Sequence, residues 1–503
     1  MNATVLDLVI MILGILATVF VGLWTSRKVT NTGEFFLAGR AAPLLFLAGT
    51  LAATEIHPGT VVGQASRGFD LGLYGLWWPI IFGLSLVFYA MTLADKYARL
   101  RETTVADFMR ARFGDWAGGL VSLILIVTMS VLLGVYLFGT QLVLNLALGW
   151  EMWMTTAILF TLAVLYTVTG GFRASLFADT LNAGMLLVGL ISAFIFAWFL
   201  AGGFSRFGEV FPPEKLSLMP LSPEVLPELS YLIIIGYLIN QCGVWAGAPW
   251  YAQRMFAAKD RPTAYRAFWI NVVIVTFVYT IGQLTAAFVR VAYPDIQPDM
   301  AIPYALVMIA PPFFTGLALA GMVAVYMSTV SSILNTNATM IMHDWYIRYI
   351  KPGASDAHYL MVSRIATLAM AIFSVIVTFW ITGIFWWFIM HVGLALGMSL
   401  VAIYAGFYWW RSTQAGVVAG LLAAIAWYAI ALIAGVHLSW VAIGVHVTTL
   451  VVTIGVSLAT RPMPEEKLVA FFDRVGAPVF GKREYLAAKG ELPPAGVRPA
   501  PTA

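Results

Sequence analysis

The chain predicts an all-α polytopic membrane protein built on two inverted halves. Three observations carry that reading. Of 503 residues, 61% are hydrophobic and only 10% are charged, with a mean hydropathy of +0.88, where a soluble domain carries nearer a quarter charged residues. Two apolar stretches five spans apart are interrupted by proline and glycine at matching places. A third stretch, residues 320–346, is long enough to cross a bilayer yet carries hydroxyls and amides through its middle.

In chain order the candidate spans are 4–24, 42–66, 73–95, 116–147, 152–170, 177–201, 229–252, 267–293, 312–343, 361–382, 385–409, 413–435 and 439–460, thirteen in all. The first has no basic n-region, its apolar run exceeds that of a signal peptide, and Ser26, Arg27 and Lys28 follow it as a stop-transfer flank, so it is expected to stay as a helix. Placing the N-terminus outside puts 24 of the 28 Lys and Arg residues in inner segments and leaves Arg67, Arg206, Lys215 and Arg290 outside. The positive-inside rule therefore predicts a cytoplasmic C-terminus. Eighteen tryptophans and twenty tyrosines suit interfacial belts. The single cysteine, Cys242, excludes an intramolecular disulfide.

Outside the spans, residues 202–228, with Pro212, Pro213, Pro223 and Pro227, read as an external loop. Residues 461–503, ending in PPAGVRPAPTA, read as a partly disordered cytoplasmic tail on a single transmembrane domain, 1–460. Neither segment holds a nucleotide-binding, protease or kinase motif, and no nucleic-acid partner is expected. Gly170–Gly171 lacks the GlyLysSer of a phosphate loop and reads as a turn at a helix end.

Within the polar span, Ser328, Thr329, Ser331, Ser332, Asn335 and Thr336 fall in about half of the helix surface at 100° per residue. Val325 and Ala324 lie on the same side. The stripe offers many oxygens and neither sulfur nor imidazole, which suits a small hard cation. The bland alternative is that Ser and Thr glue membrane helices together; four hydroxyls in five positions argue for a site instead.

The second span carries Pro58–Gly59 at mid-membrane beside Glu55 and His57, and the seventh carries Gly243, Gly247 and Pro249 in the corresponding place. Five is odd, so the second group of five helices enters from the opposite side: an inverted repeat, about 42–201 and about 229–409, with an extra helix at 4–24 and two more at 413–460. Broken helices at matching positions of inverted halves mark a transport site, because unwound backbone presents carbonyls to cations.

Five segments, GEFFLAGR at 33–40, GQASRGFDLGL at 63–73, YTVTGGFRASLFADTLN at 166–182, QRMFAAKD at 253–260 and MSTVSSILNT at 327–336, resemble the sodium:solute symporter family in order and spacing, over nearly the whole chain to residue 460. The resemblance implies a LeuT-like fold of five plus five inverted helices. It also implies a sodium ion held by the carbonyls of Ala53, Ile56 and Val325 and the hydroxyls of Ser328 and Thr329. Some family members hold a second sodium; the matching residues are Asp179, Ser331 and Ser332, sharing Ser328. Asp179 could instead be the N-terminal cap of helix six. The substrate-site positions implied are Glu55, His57, Thr60, Tyr74, Trp77, Asn240, Gln241, Trp245 and His391. Glu55 departs from the family's pattern of a neutral or shorter acidic residue, and a mid-membrane carboxylate needs a partner or a role. His57 and His391 are the partners expected. No Lys or Arg is expected within helix 4 or the membrane portions of helices 2, 3, 7 or 11.

These expectations combine into sodium-coupled uptake of a small organic solute, amine-bearing or zwitterionic, through a multi-pass cell-membrane protein of the bacterial inner-membrane kind. The partners expected are the solute and the lipid bilayer. A proton-coupled symporter of a small organic acid or other metabolite is one rival, and a transporter-like nutrient sensor is another; a membrane enzyme is disfavoured, since no nucleophile, metal cluster or paired carboxylates converge.

Overall fold

The computed structural model describes residues 2–26, 37–102, 104–219, 221–222, 224–225, 230–381, 383–384 and 398–491. Among these the chain is helical, with two isolated β-bridges. Leaving aside short turns, the helices are α1 (Val5–Ser26), α2 (Leu44–Glu55), α3 (Pro58–Leu71), α4 (Trp77–Thr92), α5 (Ala94–Leu100), α6 (Val105–Phe113), α7 (Asp115–Leu148) and α8 (Met152–Ala201). They continue with α9 (Tyr231–Gly247), α10 (Pro249–Ala257), α11 (Arg261–Ala292), α12 (Phe314–Thr339, prolonged as a π-helix to Ile350), α13 (Asp356–Thr378), α14 (Ser399–Tyr408), α15 (Gln414–Ile433), α16 (Leu438–Ala459), α17 (Glu465–Val475) and α18 (Lys482–Ala488).

Among the described residues nine helices are long and apolar enough to cross a membrane, ten if the bent pair α9 and α10 counts as one. The difference from thirteen has local causes. The halves of the first broken span are counted apart or joined to α4, residues 152–164 fall short of a full crossing, and most of the span expected at 385–409 lies outside the described residues.

Helical bonding in α8 runs through Gly170–Gly171 instead of ending there, a continuity that glycine tolerates at about 1 kcal/mol per residue. Yet α8 is not one straight rod. Thr155 near its start bonds Asn145 at the end of α7, where Asn2 also bonds. Its second part runs antiparallel to α1, with Asn182 against Thr18 and Met185 against Gly14, which carries Ala201 back towards the same end.

The core is organised around α12. Every residue from Ala318 through Ser331 is buried, so this span shows no face to lipid. It packs chiefly on α8 and on α1. A Cβ at Gly14 would come 2.6 Å from the Ala320 side chain, so glycine is what lets α1 lie this close. Asp7 fixes the axial position: its Oδ1 accepts from the Phe313 and Gly316 amides, both at 3.0 Å, capping α12 from another helix.

The two broken spans run in opposite directions. The Ala42 amide, just before α2, donates to Ala257 O at the end of α10 (3.2 Å), and the Lys259 amide donates back to Ala42 O (3.3 Å). One span therefore starts where the other finishes, as inverted halves require. Beyond α16 the tail is structured as far as Glu491: Leu468, Phe471 and Phe472 of α17 are buried, and the helix rests on α5 and α6. The expected disordered end, 492–503, lies outside the described residues.

Candidate functional site

Pro58 has no N–H, so the Thr54 carbonyl cannot receive its helical partner, and proline drives the residue before it out of the helical region. His57 is accordingly extended (φ −85, ψ 157), and α2 ends with the Ile56 amide donating to Ala52 O at 2.9 Å. The His57 side chain then caps α3: its Nδ1 accepts from the Thr60 amide at 3.1 Å and lies 2.7 Å from Thr60 Oγ1. The Glu55 carbonyl accepts from the Tyr279 hydroxyl at 2.8 Å. Ala53 and Ile56, the expected carbonyl ligands, thus sit on the frayed end of α2, both buried, and α12 packs against both α2 and α3.

On α12, Val325, Ser328, Thr329 and Ser331 are buried and Ser332 half-buried. Ser328 Oγ reaches the Val325 carbonyl only weakly, at 3.4 Å. The Thr329 hydroxyl is buried with no hydrogen-bond partner among the described residues. A buried polar group left so costs about 1–3 kcal/mol, which fits an oxygen kept for a cation. The Ala324 carbonyl, by contrast, is taken by Asn182 Nδ2 at 3.2 Å.

The carboxylates are held differently from expectation. Glu55 Oε1 accepts from the Trp250 indole N–H at 2.8 Å; His57 turns instead to Thr60, and its ring lies against Tyr136. His391 lies outside the described residues. Asp179 is not an N-cap: it lies within α8, where Oδ2 accepts from the Thr50 hydroxyl at 2.5 Å and stands 3.7 Å from Arg254 Nη2. Arg254, expected in an inner loop, is fully buried on α10, donating to Thr50 Oγ1 (2.9 and 3.1 Å) and to the Trp250 carbonyl (3.2 Å). The correction is to the loop placement: Arg254 belongs to a helix of the bent pair α9 and α10. Pro249 at the first helical position was the available signal. It starts α10 immediately, so Trp250 and Arg254, four apart, share one face.

The expected substrate residues divide. Glu55, His57 and Thr60 meet at the first break. Gln241 is buried on α9, with its amide nitrogen unpartnered among the described residues. The Trp245 indole instead donates to Ser85 Oγ (2.7 Å), bracing α9 on α4. Tyr74 and Trp77 face the loop at 202–228: the Leu221 amide donates to the Tyr74 hydroxyl (3.0 Å) and the Trp77 indole to Leu218 O (3.1 Å). Asn240 turns to α16, its Oδ1 3.2 Å from His446 Nε2. Thr50, Trp250, Arg254 and Tyr279 are site residues that sequence reasoning missed.

Buried hydroxyls on a polar helix, opposed by two oppositely directed broken helices, invite comparison with known transporters. The family model described as the sodium:solute symporter family matches residues 35–424. The chain belongs to the sodium:solute symporter family. Among its relatives are the sodium/glucose cotransporter 4 of Danio rerio, 23% identical over 92% of this chain and 80% of that protein, and the sodium/pantothenate symporter of Escherichia coli K12, 26% identical over 84% and 90%. The solved structure of a Na+-coupled sialic acid symporter, in a substrate-bound outward-open state with what is described as a novel Na+-site, has a TM-score of 0.77 at 16% identity, covering 91% of this chain and 99% of its own. That likeness gives the fold. As a member of this family of Na+-coupled symporters, the chain is a multi-pass membrane transporter and not an enzyme.

Proposed function

We propose that this symporter couples inward sodium to the uptake of a small amine-bearing or zwitterionic solute, with Glu55 facing the amine. The observation that carries the sodium site is the Thr329 hydroxyl, buried beside Ser328 with no hydrogen-bond partner among the described residues, on the helix packed against the break at Ile56. Ala53, Ile56 and Val325 would supply carbonyls, Ser328 and Thr329 hydroxyls. Sodium, being cargo, enters with about 2.3 kcal/mol per 100 mV of membrane potential. The thirteen-span topology with the N-terminus outside belongs to the same reading, as does a bacterial inner membrane.

Charge supports the solute class. Relatives named for glucose and for pantothenate carry cargo of different charge, so the family does not choose. Around the first break stand two carboxylates, Glu55 and Asp179, and one guanidinium, Arg254; His57 is neutral where Nδ1 accepts the Thr60 amide. One negative charge remains, and one sodium cancels it. A neutral-overall solute with its own positive group then meets Glu55 without leaving net charge in the membrane, which would be expensive. A second sodium at Asp179, Ser331 and Ser332 would have to share Asp179 with Arg254.

Uptake measured in sodium and in choline media tests the coupling. Uptake should require sodium, and Thr329→Ala or Ser328→Ala should raise the half-saturating sodium concentration about tenfold, the equivalent of about 1.4 kcal/mol. Equal uptake in both media would overturn the sodium reading and move coupling to a proton carried on Glu55. Glu55→Gln should abolish transport of a zwitterion while sodium still stabilises the purified protein; normal transport at every pH would make Glu55 structural.

A further inference from the structure

On the flank away from the sodium helix, α4, α9, α14 and α16 enclose a groove of about 940 Å³. Its walls are apolar, among them Phe88, Ile239, Leu400, Leu450 and Ile454, and it opens sideways where Leu450 and Val447 are exposed. The groove follows α14 from Leu400 to Tyr408, nine residues, or about 14 Å at 1.5 Å each. That is about half of a 30 Å hydrocarbon core, the depth of a single leaflet.

One end of the groove has interfacial character. Tyr408 and Trp409 close it together with Val479 and Phe480 of the C-terminal segment. Val479 and Phe480 are 61% and 65% exposed although they lie outside every candidate span. They are not loose: both amides donate to Tyr408 O (3.1 and 2.9 Å), and the Trp410 amide donates to Phe480 O (2.9 Å). The backbone thus fixes two apolar side chains on the exposed rim of the groove, as an interfacial anchor requires.

Basic groups stand at that same end. Lys96 Nζ lies 4.6 Å from the centre of the Tyr408 ring and donates to Val475 O at 3.3 Å. Lys482 and Arg483 are exposed directly after the anchor, and a buried nitrogen of Arg411, Nη1, has no hydrogen-bond partner among the described residues. Of the nearby acids, Asp95 is engaged by Arg99 and Arg261, and Glu484 is exposed. The mouth is therefore net basic while the trough is apolar.

We propose that this groove binds one anionic phospholipid from the leaflet facing the C-terminal segment, acyl chain along α14 and α16 and phosphate among Lys96, Lys482 and Arg483. The proposal is independent of which solute is carried. Charge selects the occupant: a second copy of the chain would bring its own basic rim to this one, whereas an anionic headgroup neutralises it.

The single cysteine gives the test, because Cys242 lines the groove. With a fluorophore on Cys242 and the full chain in phosphatidylcholine vesicles, brominated phosphatidylglycerol should quench at several-fold lower mole fraction than brominated phosphatidylcholine, about fivefold for each basic residue that touches the headgroup. Lys482→Gln with Arg483→Gln should bring the two lipids towards equality, and Leu450→Trp, which fills the trough, should weaken quenching by both. Equal quenching in the wild type means ordinary boundary lipid and overturns the proposal. Self-quenching that disappears when labelled chains are diluted with unlabelled ones assigns the groove to a second copy and also overturns it. Native mass spectrometry of the unlabelled protein, with one phosphatidylglycerol retained by wild type and not by Leu450→Trp, removes any effect of the label; no retention by wild type refutes the site.

Discussion

The two broken helices share a cause and divide the work. Each is interrupted by a proline at the first position of its second half, Pro58 in α3 and Pro249 in α10. The first break spans two residues, and the His57 side chain caps the new helix; the second turns at Ala248 alone, by 47°, with no side-chain cap. At the first break what matters is backbone: the frayed carbonyl end of α2 faces the polar helix. At the second it is side chains: α10 sends Trp250 to Glu55 and Arg254 to Thr50 and Asp179. Inverted halves thus bring the same local interruption to opposite faces of one candidate site, one face presenting backbone carbonyls beside buried hydroxyls and the other donors for the carboxylates.

The largest effect expected from breaking this division is at Arg254. Arg254→Gln removes the cation from a buried pair and leaves Asp179 uncompensated, which costs about 3–5 kcal/mol where a buried pair loses one partner. Thermal melting of the purified protein should show that loss, and Arg254→Gln with Asp179→Asn should recover most of it. The variant also separates the two readings of Asp179. If sodium restores the melting temperature of Arg254→Gln but not of the double variant, Asp179 can take a sodium ion when its guanidinium is gone. A single variant as stable as wild type would mean that the ion pair carries no stability.

A smaller effect is expected from Trp250→Phe. The side chain stays aromatic though smaller, and Glu55 Oε1 loses its 2.8 Å donor, at a cost of about 1–3 kcal/mol for an unmet buried acceptor. On the proposal that Glu55 faces the solute, the Michaelis constant for solute should rise while the half-saturating sodium concentration holds. A rise in both together would show that the two faces are not separable.

What could be read from the chain alone follows the same line between local and distant causes. Pro58 and Pro249 announce their breaks because proline's missing donor is a covalent fact. The hydroxyl stripe on α12 is legible because helical periodicity alone gathers it. Arg254 was not: a charge count places an arginine after span seven in a loop, and among the partners that allow its burial are Thr50 and Asp179, from distant segments. Tyr74 and Trp77 turn to the segment at 202–228 and Asn240 to α16, contacts that composition does not announce, since the rotation of an element is set by its neighbours.

The smallest expected effect comes from exchanging the caps. His57 accepts the Thr60 amide at the start of α3, and Ala248 offers nothing comparable at the start of α10, although its backbone (φ −61, ψ 109) is already in the extended region a cap needs. Losing a capping side chain costs about 0.5–2 kcal/mol, and gaining one at an alanine returns a similar amount. Ala248→Ser is therefore expected to raise the melting temperature slightly, because its hydroxyl can accept the Trp250 amide, which has no partner one turn back at the start of a helix. His57→Ala should lower it by a comparable amount. Transport discriminates further. If the second break works as a hinge that carries Trp250 and Arg254, bracing it with Ala248→Ser should slow turnover while leaving sodium and solute affinity alone. If turnover rises with stability, the bend at Ala248 is a fixed feature of the scaffold, and the asymmetry between the breaks concerns binding alone.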